Sequence, residues 1–329
     1  PWPPAAAPRH PPAPPRERRS PAPARSLAEN AATREVSVDT GDGSGAAFVS
    51  RKSLDQPNYA QPVYMMFNPQ LKAAYLAINT FMPSGKELDS IESWNNMLFA
   101  FHREAAQRKV ENLVIDLRVN RGGVMLFSAA AASWFIERRI DDKSRSRARS
   151  RVLPYREYVQ AVNSMAASEQ ILLDTEKHLQ SGFSDKMIDG YFETRRSEAR
   201  YLTLTPVEQA HRFRRIYILV SRATYSAAVN FARLVKLGNA NVVLVGEETG
   251  SPGDGHSAEI LITYKLPQSG LLFEIPLVQV QFNPLVPKQE KGRGLIPDVT
   301  SADTPADFLA GRDAQLEVVS EMMQQPAKP

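Results

Sequence analysis

The stretch SRATYSAAVNFARLV, residues 221–235, comes directly after the apolar run IYILV. Its second serine, Ser226, lies at the point where a helical pattern begins. Serine is a favoured N-cap residue, because its hydroxyl accepts a hydrogen bond from a backbone N–H of the first helical turn. Thr224 is an equally suitable cap, so the hydroxyl of Ser226 is also available as a nucleophile. The positive end of the helix dipole and the open N–H of Ala227 would favour an oxyanion there. The residue types therefore fit either a helix cap or acyl transfer.

Three loops with candidate chemistry each follow an apolar strand. They are RVNRGG at 118–123, RATYSAA at 222–228 and EETGSPGDGH at 247–256. Strand ends on one side of an α/β sheet converge, so we expect these loops to build a common site. Gly122 and Gly123 either form a turn that needs positive φ or let a substrate carbonyl approach exposed N–H groups. Together with the serine hydroxyl, they supply the parts of an acyl-transfer site.

Among the five histidines, His256 is the best placed to accept the serine proton, because it closes the third loop. Asp254, two residues earlier, could orient its ring. The alternative is an exposed polar side chain in a glycine-rich turn. The other histidines lie in the N-terminal segment, on predicted helices or before a strand: His10, His102, His178 and His211. No pair of histidines or carboxylates has metal-ligand spacing, so we predict neither a metal nor a cofactor.

Apolar strands and amphipathic helices alternate through the centre of the chain. Strand patterns are VYMMF, AAYLAINTF, VENLVIDLRV, RIYILVS and ANVVLVG, and helix patterns cover 89–109, 125–136, SAAVNFARLVKLGN and AQLEVVSEMMQQ. Asp89 or Ser90 would cap the first helix, and PQSG at 267–270 predicts a hairpin between two further strands. Strand–helix–strand units imply parallel strands with crossover helices, so the fold class is α/β.

A polar insertion at about 138–211 interrupts this pattern. Its sequence predicts helical segments at 155–180 and 185–200. The basic run SRSRARSR at 144–151 is interpreted as a solvated loop, with an anionic partner as the alternative. The core is therefore expected to carry a helical insertion.

The net charge of +4 comes mainly from a proline-rich N-terminal segment. Residues 1–35 hold six arginines against three glutamates, and residues 1–26 hold ten of the 25 prolines. Such a composition buries too little apolar surface to offset its ordering entropy, so we predict a disordered tail at 1–35 and a folded catalytic core at 36–325. The remaining chain is close to neutral, which argues against a nucleic-acid partner.

The absence of cysteine excludes disulfides, thiolate metal sites and a cysteine nucleophile. No run reaches the roughly 18 apolar residues of a spanning helix, so we predict no integral membrane segment. The chain begins with Pro1 and shows no apolar signal-peptide region. We therefore expect a processed product or a fragment of a longer chain. The sequence leaves the oligomeric state open.

Five stretches stand in the order found in the C-terminal processing (tail-specific) serine peptidase family, whose core also occurs in tricorn protease and interphotoreceptor retinoid-binding protein. They are LVIDLRVNRGG, IYILVSRATYSAA, VVLVGEETG, GRGLIPDV and GRDAQLEVV. The chain resembles this family over residues 60–320, apart from the insertion.

The resemblance implies a crotonase-like (ClpP/crotonase) core of ββα repeats. It implies that Ser226 is the nucleophile, and that Ala227 with Gly122 or Gly123 donates to the oxyanion. It also implies a peptide or protein substrate and an extracytoplasmic location, periplasmic or secreted.

Three departures concern the general base. Members with a serine–lysine dyad carry a lysine near Pro252 and a glutamate at the position of Val229. Tricorn-like members without that lysine, which the chain resembles more, take a histidine from an N-terminal segment that this chain does not show. Either the histidine lies upstream in a longer gene product, or His256 replaces it, or the site is inactive.

These alternatives lead to three hypotheses of function. The first is a serine-type peptidase that uses Ser226. The second is a catalytically inactive peptide- or ligand-binding protein of the same fold. The third is a CoA-ester hydratase or isomerase with Glu247 or Glu248 as its base, although Ser226 and the LIPDV stretch argue against it.

Overall fold

The computed structural model describes residues 61–83, 88–195 and 202–324. The predicted tail at 1–35 lies outside these residues. The strands are β1 Val63–Asn68, β2 Ala73–Ile78, β3 Asn112–Asp116, β4 Ile140–Asp142, β5 Arg145–Ala148, β6 Val159–Val162, β7 Met165–Ala166, β8 Phe183–Ile188, β9 Tyr191–Thr194, β10 Leu202–Leu204, β11 Arg215–Val220, β12 Val242–Gly246, β13 Gly255–Lys265, β14 Leu272–Gln281 and β15 Val299–Thr300. The helices are α1 Ile91–Gln107, α2 Met125–Ala132, α3 Glu169–Gly182, α4 Ala227–Gly238, α5 Pro305–Ala310 and α6 Ala314–Gln324.

A six-stranded sheet carries the predicted strand–helix–strand units, in the order β1-β2-β3-β11-β12-β15. Its strands pair in parallel from β2 to β15, and only β1 runs antiparallel to its neighbour β2. Every residue of β2 and β3 is buried, as is typical of parallel strands covered on both faces. The predicted α/β class and parallel strands are confirmed.

The helices beside this sheet begin where their sequences indicate. Ser90 caps α1, because its hydroxyl accepts from the Ser93 N–H at 3.1 Å and the Ser93 hydroxyl accepts in return from the Ser90 N–H. Helix α4 ends at Gly238, where an added Cβ would lie 2.3 Å from a side-chain atom of Ile136. All of α4 except Lys236 is buried, so the helix that follows Ser226 is held on every side.

A second, seven-stranded antiparallel sheet corrects the prediction of a helical insertion. The predicted hairpin of β13 and β14 forms, and insertion strands extend it into the order β7-β6-β13-β14-β5-β9-β8. Only α3 is α-helical within the predicted segment 155–180, and the described part of 185–200 forms β8 and β9. Strands β6 and β5 of the insertion pair with β13 and β14, which are distant in the sequence, and local periodicity does not reveal such pairing.

The first half of the basic run at 144–151 is likewise a strand, β5 at Arg145–Ala148, and there the prediction of a solvated loop is wrong. Arg147 lies over the Tyr191 ring at 3.9 Å, and Arg149 lies over the same ring at 5.1 Å. These cation–π contacts favour a strand in which arginines alternate with serine and alanine.

A buried arginine connects α4 to the neighbouring strand β4. Arg233 is 0% exposed, and its guanidinium pairs with the Asp142 carboxylate at 2.5 Å. It also donates to the Pro284 carbonyl at 2.6 Å and lies 4.4 Å from the Phe282 ring centre. Water cannot reach Arg233 to replace the Asp142 carboxylate, so this ion pair fixes the helix that follows the candidate nucleophile.

Candidate active site

Ser226 has a strained backbone at the start of α4. Its φ of 50° and ψ of −117° lie in a region that residues with a Cβ rarely occupy. Its side chain makes no capping hydrogen bond to the helix, and the residue is partly exposed. The Thr224 hydroxyl instead donates to the Leu117 carbonyl at 2.9 Å. The Ser226 hydroxyl is therefore not occupied as a helix cap.

Direct hydrogen bonds join the three loops that follow the strands, which confirms that they converge. The Tyr225 N–H donates to the Asn120 carbonyl at 3.0 Å. The Gly250 N–H donates to the Thr224 carbonyl at 3.1 Å, and the Ser226 N–H donates to the Ser251 hydroxyl at 2.8 Å. The loops at the carboxyl ends of β3, β11 and β12 are thus joined to one another by hydrogen bonds.

Gly122 lies directly against Ser226. A Cβ added at Gly122 would lie 2.8 Å from the Ser226 Cβ and 3.0 Å from the Ala227 nitrogen. The φ of Gly122, +101°, is also one that L side chains rarely adopt. Only glycine allows the 118–123 loop to approach the serine this closely.

The two predicted glycine donors differ in the state of their N–H groups. The Gly122 N–H donates to Asn120 Oδ1 at 2.7 Å, in a buried bond. Within the described ranges, the N–H groups of Gly123 and Ala227 have no acceptor. Gly123 is fixed by its neighbours, because the Phe81 N–H donates to the Gly122 carbonyl at 2.8 Å and the Val124 N–H to the Phe81 carbonyl at 3.0 Å. Gly123, which follows Gly122 in the chain, and Ala227, whose nitrogen would lie 3.0 Å from a Cβ at Gly122, therefore each provide an open donor.

His256 lies on β13 and is buried, with its ring centre 5.7 Å from that of Phe282. Burial lowers the pKa of His256 to about 4, so its imidazole is neutral at pH 7 but a weak proton acceptor. Asp254, predicted to orient it, accepts a hydrogen bond from the Gly292 N–H at 3.1 Å. Over the described part of the chain, the Ser226 hydroxyl has no hydrogen bond to a histidine or carboxylate.

Both glutamates of the third loop have ion-pair partners. Glu247 pairs with Arg222 at 2.9 Å. Glu248 pairs with Arg293 at 2.6 Å and accepts from the Gly294 N–H at 2.8 Å. The hydrogen bond from Arg293 lowers the pKa of Glu248. Because each carboxylate is paired with an arginine, neither is the free base that a hydratase or isomerase would need.

A buried charge network supports the 118–123 loop, and sequence reasoning missed it. The Arg118 guanidinium bridges Asp116 and Asp313, each at 2.7 Å. Burial by itself would raise the pKa of Asp116, but the charge of Arg118 and hydrogen bonds from Arg118 and Tyr75 hold it below its usual value. Asp313 also caps α6, because its Oδ1 accepts from the Leu316 N–H at 3.0 Å, so the sequence offers a local reason for this aspartate and no sign of its pairing with Arg118.

A family model matches this chain over its sheet and loops. The model described as Peptidase family S41 matches residues 72–300, which is more than half of the chain. The class of protein is therefore a serine-type peptidase, a hydrolase. The chain belongs to peptidase family S41, which confirms the resemblance to C-terminal processing peptidases. No helix in the described part of the chain is long and apolar enough to cross a membrane.

Solved structures of similar fold include a protein assigned as a peptidase from Parabacteroides merdae, at 20% identity and a TM-score of 0.50, over 83% of this chain and 70% of that one. A protein assigned as an S41 protease from Bacteroides fragilis is 17% identical with a TM-score of 0.47, over 76% of this chain and 54% of that one. The photosystem II D1 C-terminal processing protease is 18% identical with a TM-score of 0.40, over 82% and 54%. No curated protein matches the chain. At these identities, the likeness concerns the fold alone.

Proposed function

We propose that the chain hydrolyses peptide bonds with Ser226 as the nucleophile. The observation that carries this proposal is the strained backbone of Ser226, whose hydroxyl does not cap α4 although serine is a favoured cap. Such strain persists where function requires a side chain to be presented in one direction. In the reaction, the hydroxyl oxygen attacks the peptide carbonyl, and its proton passes to a base and then to the leaving amine as the C–N bond breaks. Water then attacks the resulting serine ester, which releases the new carboxyl group and restores the hydroxyl.

The N–H groups of Ala227 and Gly123 would hold the oxygen of the tetrahedral intermediate. Both groups lack an acceptor in the described ranges, whereas the Gly122 N–H is taken by Asn120. We assign Gly122 the role of leaving space beside the serine, and Gly123 the role of donor. Donors of this kind contribute about 3–4 kcal/mol each to the stability of the transition state.

The general base is either His256 or a histidine outside the described residues. The second source is favoured because the pKa of His256, lowered by burial to about 4, makes its imidazole a weak proton acceptor. Comparing His256→Gln with the wild-type chain separates the two: loss of activity at constant stability assigns the base to His256, and retained activity assigns it elsewhere.

We further propose a crotonase-like core of ββα repeats, a peptide or protein substrate and an extracytoplasmic location. Family membership and the parallel sheet support the first two. Fractionation of the native host, with the chain followed by antibody, tests the location. Recovery with cytoplasmic markers would contradict it.

A fluorophosphonate probe tests the nucleophile directly. We expect it to label Ser226 in the wild-type chain, and we expect Ser226→Ala to lose both labelling and proteolysis. Ser269→Ala, in the exposed hairpin turn, is the matched control and should behave like the wild type. Proteolysis that survives in Ser226→Ala would remove the proposal.

A second candidate, a binding protein that has lost catalysis, is favoured by one observation. Within the described ranges, no imidazole or carboxylate receives a hydrogen bond from the Ser226 hydroxyl. The second candidate predicts peptide binding without turnover across pH 5 to 9 and no labelled serine. A trapped acyl-enzyme would contradict it.

A further inference from the structure

We propose that Ser251 is a positioning residue that holds the backbone of Ser226 in the conformation required of a nucleophile. This inference rests on the proposed function of Ser226. The contact that motivates it is the hydrogen bond from the Ser226 N–H to the Ser251 hydroxyl, at 2.8 Å.

Two other serines in this chain show how a serine N-cap behaves without such a contact. Ser90 has φ −138° and ψ 162°, and Ser168 has φ −126° and ψ 159°. Both use the side-chain hydroxyl to accept an N–H of their own helix. Ser226 occupies the same position of α4 with φ 50°, ψ −117° and no capping bond. Its conformation is therefore imposed from outside the helix.

Two contacts outside α4 account for this conformation. The Ser251 hydroxyl receives the Ser226 N–H and so fixes the plane of the peptide bond that precedes the serine. Gly122 lies against the Ser226 side chain, where an added Cβ would lie 2.8 Å from the Ser226 Cβ. Of these two contacts, the one from Ser251 is supplied by a side chain and can be removed by a single substitution.

Ser251 is itself held firmly enough to impose strain. It is 9% exposed, and its carbonyl accepts the Thr249 hydroxyl at 3.0 Å. The Thr249 hydroxyl accepts in turn from the Leu295 N–H at 2.8 Å, and the Gly250 N–H is bound by the Thr224 carbonyl at 3.1 Å. The loop after β12 therefore presents the Ser251 hydroxyl from a fixed position.

Loss of this hydroxyl should allow Ser226 to relax into an ordinary cap. Its Oγ would then turn to the N–H groups of the first turn of α4 and leave the donors at Ala227 and Gly123. Misplacement of a reacting atom by about 1 Å lowers a rate by about 10²-fold. Substrate contacts remote from the hydroxyl stay unchanged, so kcat should fall while KM stays constant.

The test compares Ser251→Ala with Ser251→Thr in the full chain. We expect Ser251→Ala to slow fluorophosphonate labelling of Ser226 and to lower kcat by about 10²-fold, at unchanged KM. Ser251→Thr keeps a hydroxyl and should recover most of both rates. The pH profile of labelling should keep its midpoint, because Ser251 positions the nucleophile and does not accept its proton.

Ser150→Ala is the matched control, because Ser150 is a loop serine of the insertion whose hydroxyl also donates to backbone, at 2.6 Å from the Val152 carbonyl. Wild-type labelling in Ser251→Ala would overturn the inference, as would equal losses in Ser251→Ala and Ser150→Ala or no recovery in Ser251→Thr. Failure of the proposed function gives a different result: the wild-type chain itself would then show neither labelling nor cleavage.

A crystal structure of Ser251→Ala tests the inference without any activity. We expect the φ of Ser226 to change from 50° to the negative values of Ser90 and Ser168. A φ that stays positive in a folded Ser251→Ala chain would show that the other contacts suffice, and the inference would be wrong.

Discussion

Replacing Gly122 by alanine would place a methyl group against the proposed nucleophile. The new Cβ would lie 2.8 Å from the Ser226 Cβ, 3.0 Å from the Ala227 nitrogen and 3.0 Å from the Tyr225 carbonyl oxygen. Carbon atoms in contact normally lie about 3.5–4.0 Å apart, so the serine would have to move by roughly half an ångström or more. The movement would separate the hydroxyl from both N–H donors at once.

Two effects should follow from this substitution and can be measured separately. The φ of +101° and the contact should lower the free energy of unfolding by about 1–3 kcal/mol. The displacement of Ser226 should lower the rate of fluorophosphonate labelling by about 10²-fold. Urea unfolding reports the first quantity, and the time course of labelling in native buffer reports the second.

Gly190→Ala is the control for the backbone effect alone. Gly190 has a φ of +79° in the turn between β8 and β9, and a Cβ there would meet no atom within 4 Å. We expect it to lose stability without losing labelling rate. Labelling of folded Gly122→Ala at the wild-type rate would refute the reasoning, because the serine would then function without the space that Gly122 leaves.

Two further predictions concern stability. Asp142→Ala should destabilise the fold by about 3–5 kcal/mol in urea unfolding, because Arg233 would be left buried without its carboxylate. The neighbouring Asp141→Ala, which breaks an exposed pair with Arg139, should cost less than about 1 kcal/mol, and similar losses for both would contradict the prediction. Burial lowers the pKa of His256 in the folded chain to about 4 from the usual histidine value of 6.5, so its contribution to stability is present above pH 6.5 and is lost as the pH falls toward 4. Between pH 7 and pH 5, the wild-type chain should therefore lose about 2 kcal/mol more than His256→Gln, and equal losses would show that His256 is not buried as described.

Most of the central sheet was predictable because β2, β3 and β11 are apolar runs that are each followed by a helix. The start of α1 was also visible in the sequence, because Ser90 and its capping partner Ser93 lie within three residues of each other. The convergence of the three loops was predictable for the same reason: parallel strands with crossover helices put their carboxyl ends on one side.

The insertion was not predictable from local pattern, because its strands are stabilised by distant partners. β5 pairs with β14, and Arg147 there donates to Gln279, which is 132 residues away in the sequence. Arginine and serine alternate in this strand without the apolar residues that indicate a buried face. Tertiary contacts outweighed local propensity.

The site was predictable in its residues but not in its hydrogen bonds. The sequence offers Gly122 and Gly123 as equal candidates for the oxyanion donor. Only the hydrogen bond from the Gly122 N–H to Asn120 Oδ1 distinguishes them. The role of Ser251 depends on a hydroxyl that accepts the N–H of a residue 25 positions away, and no local sequence pattern indicates such a contact.

The most direct test of the account is a crystal structure of the chain after reaction with a fluorophosphonate. The account predicts phosphorus bonded to Ser226 Oγ, and a phosphoryl oxygen about 2.7–3.1 Å from the backbone nitrogens of both Ala227 and Gly123. An adduct whose oxygen faces solvent, or binds neither nitrogen, would contradict the claim that these groups act on one carbonyl.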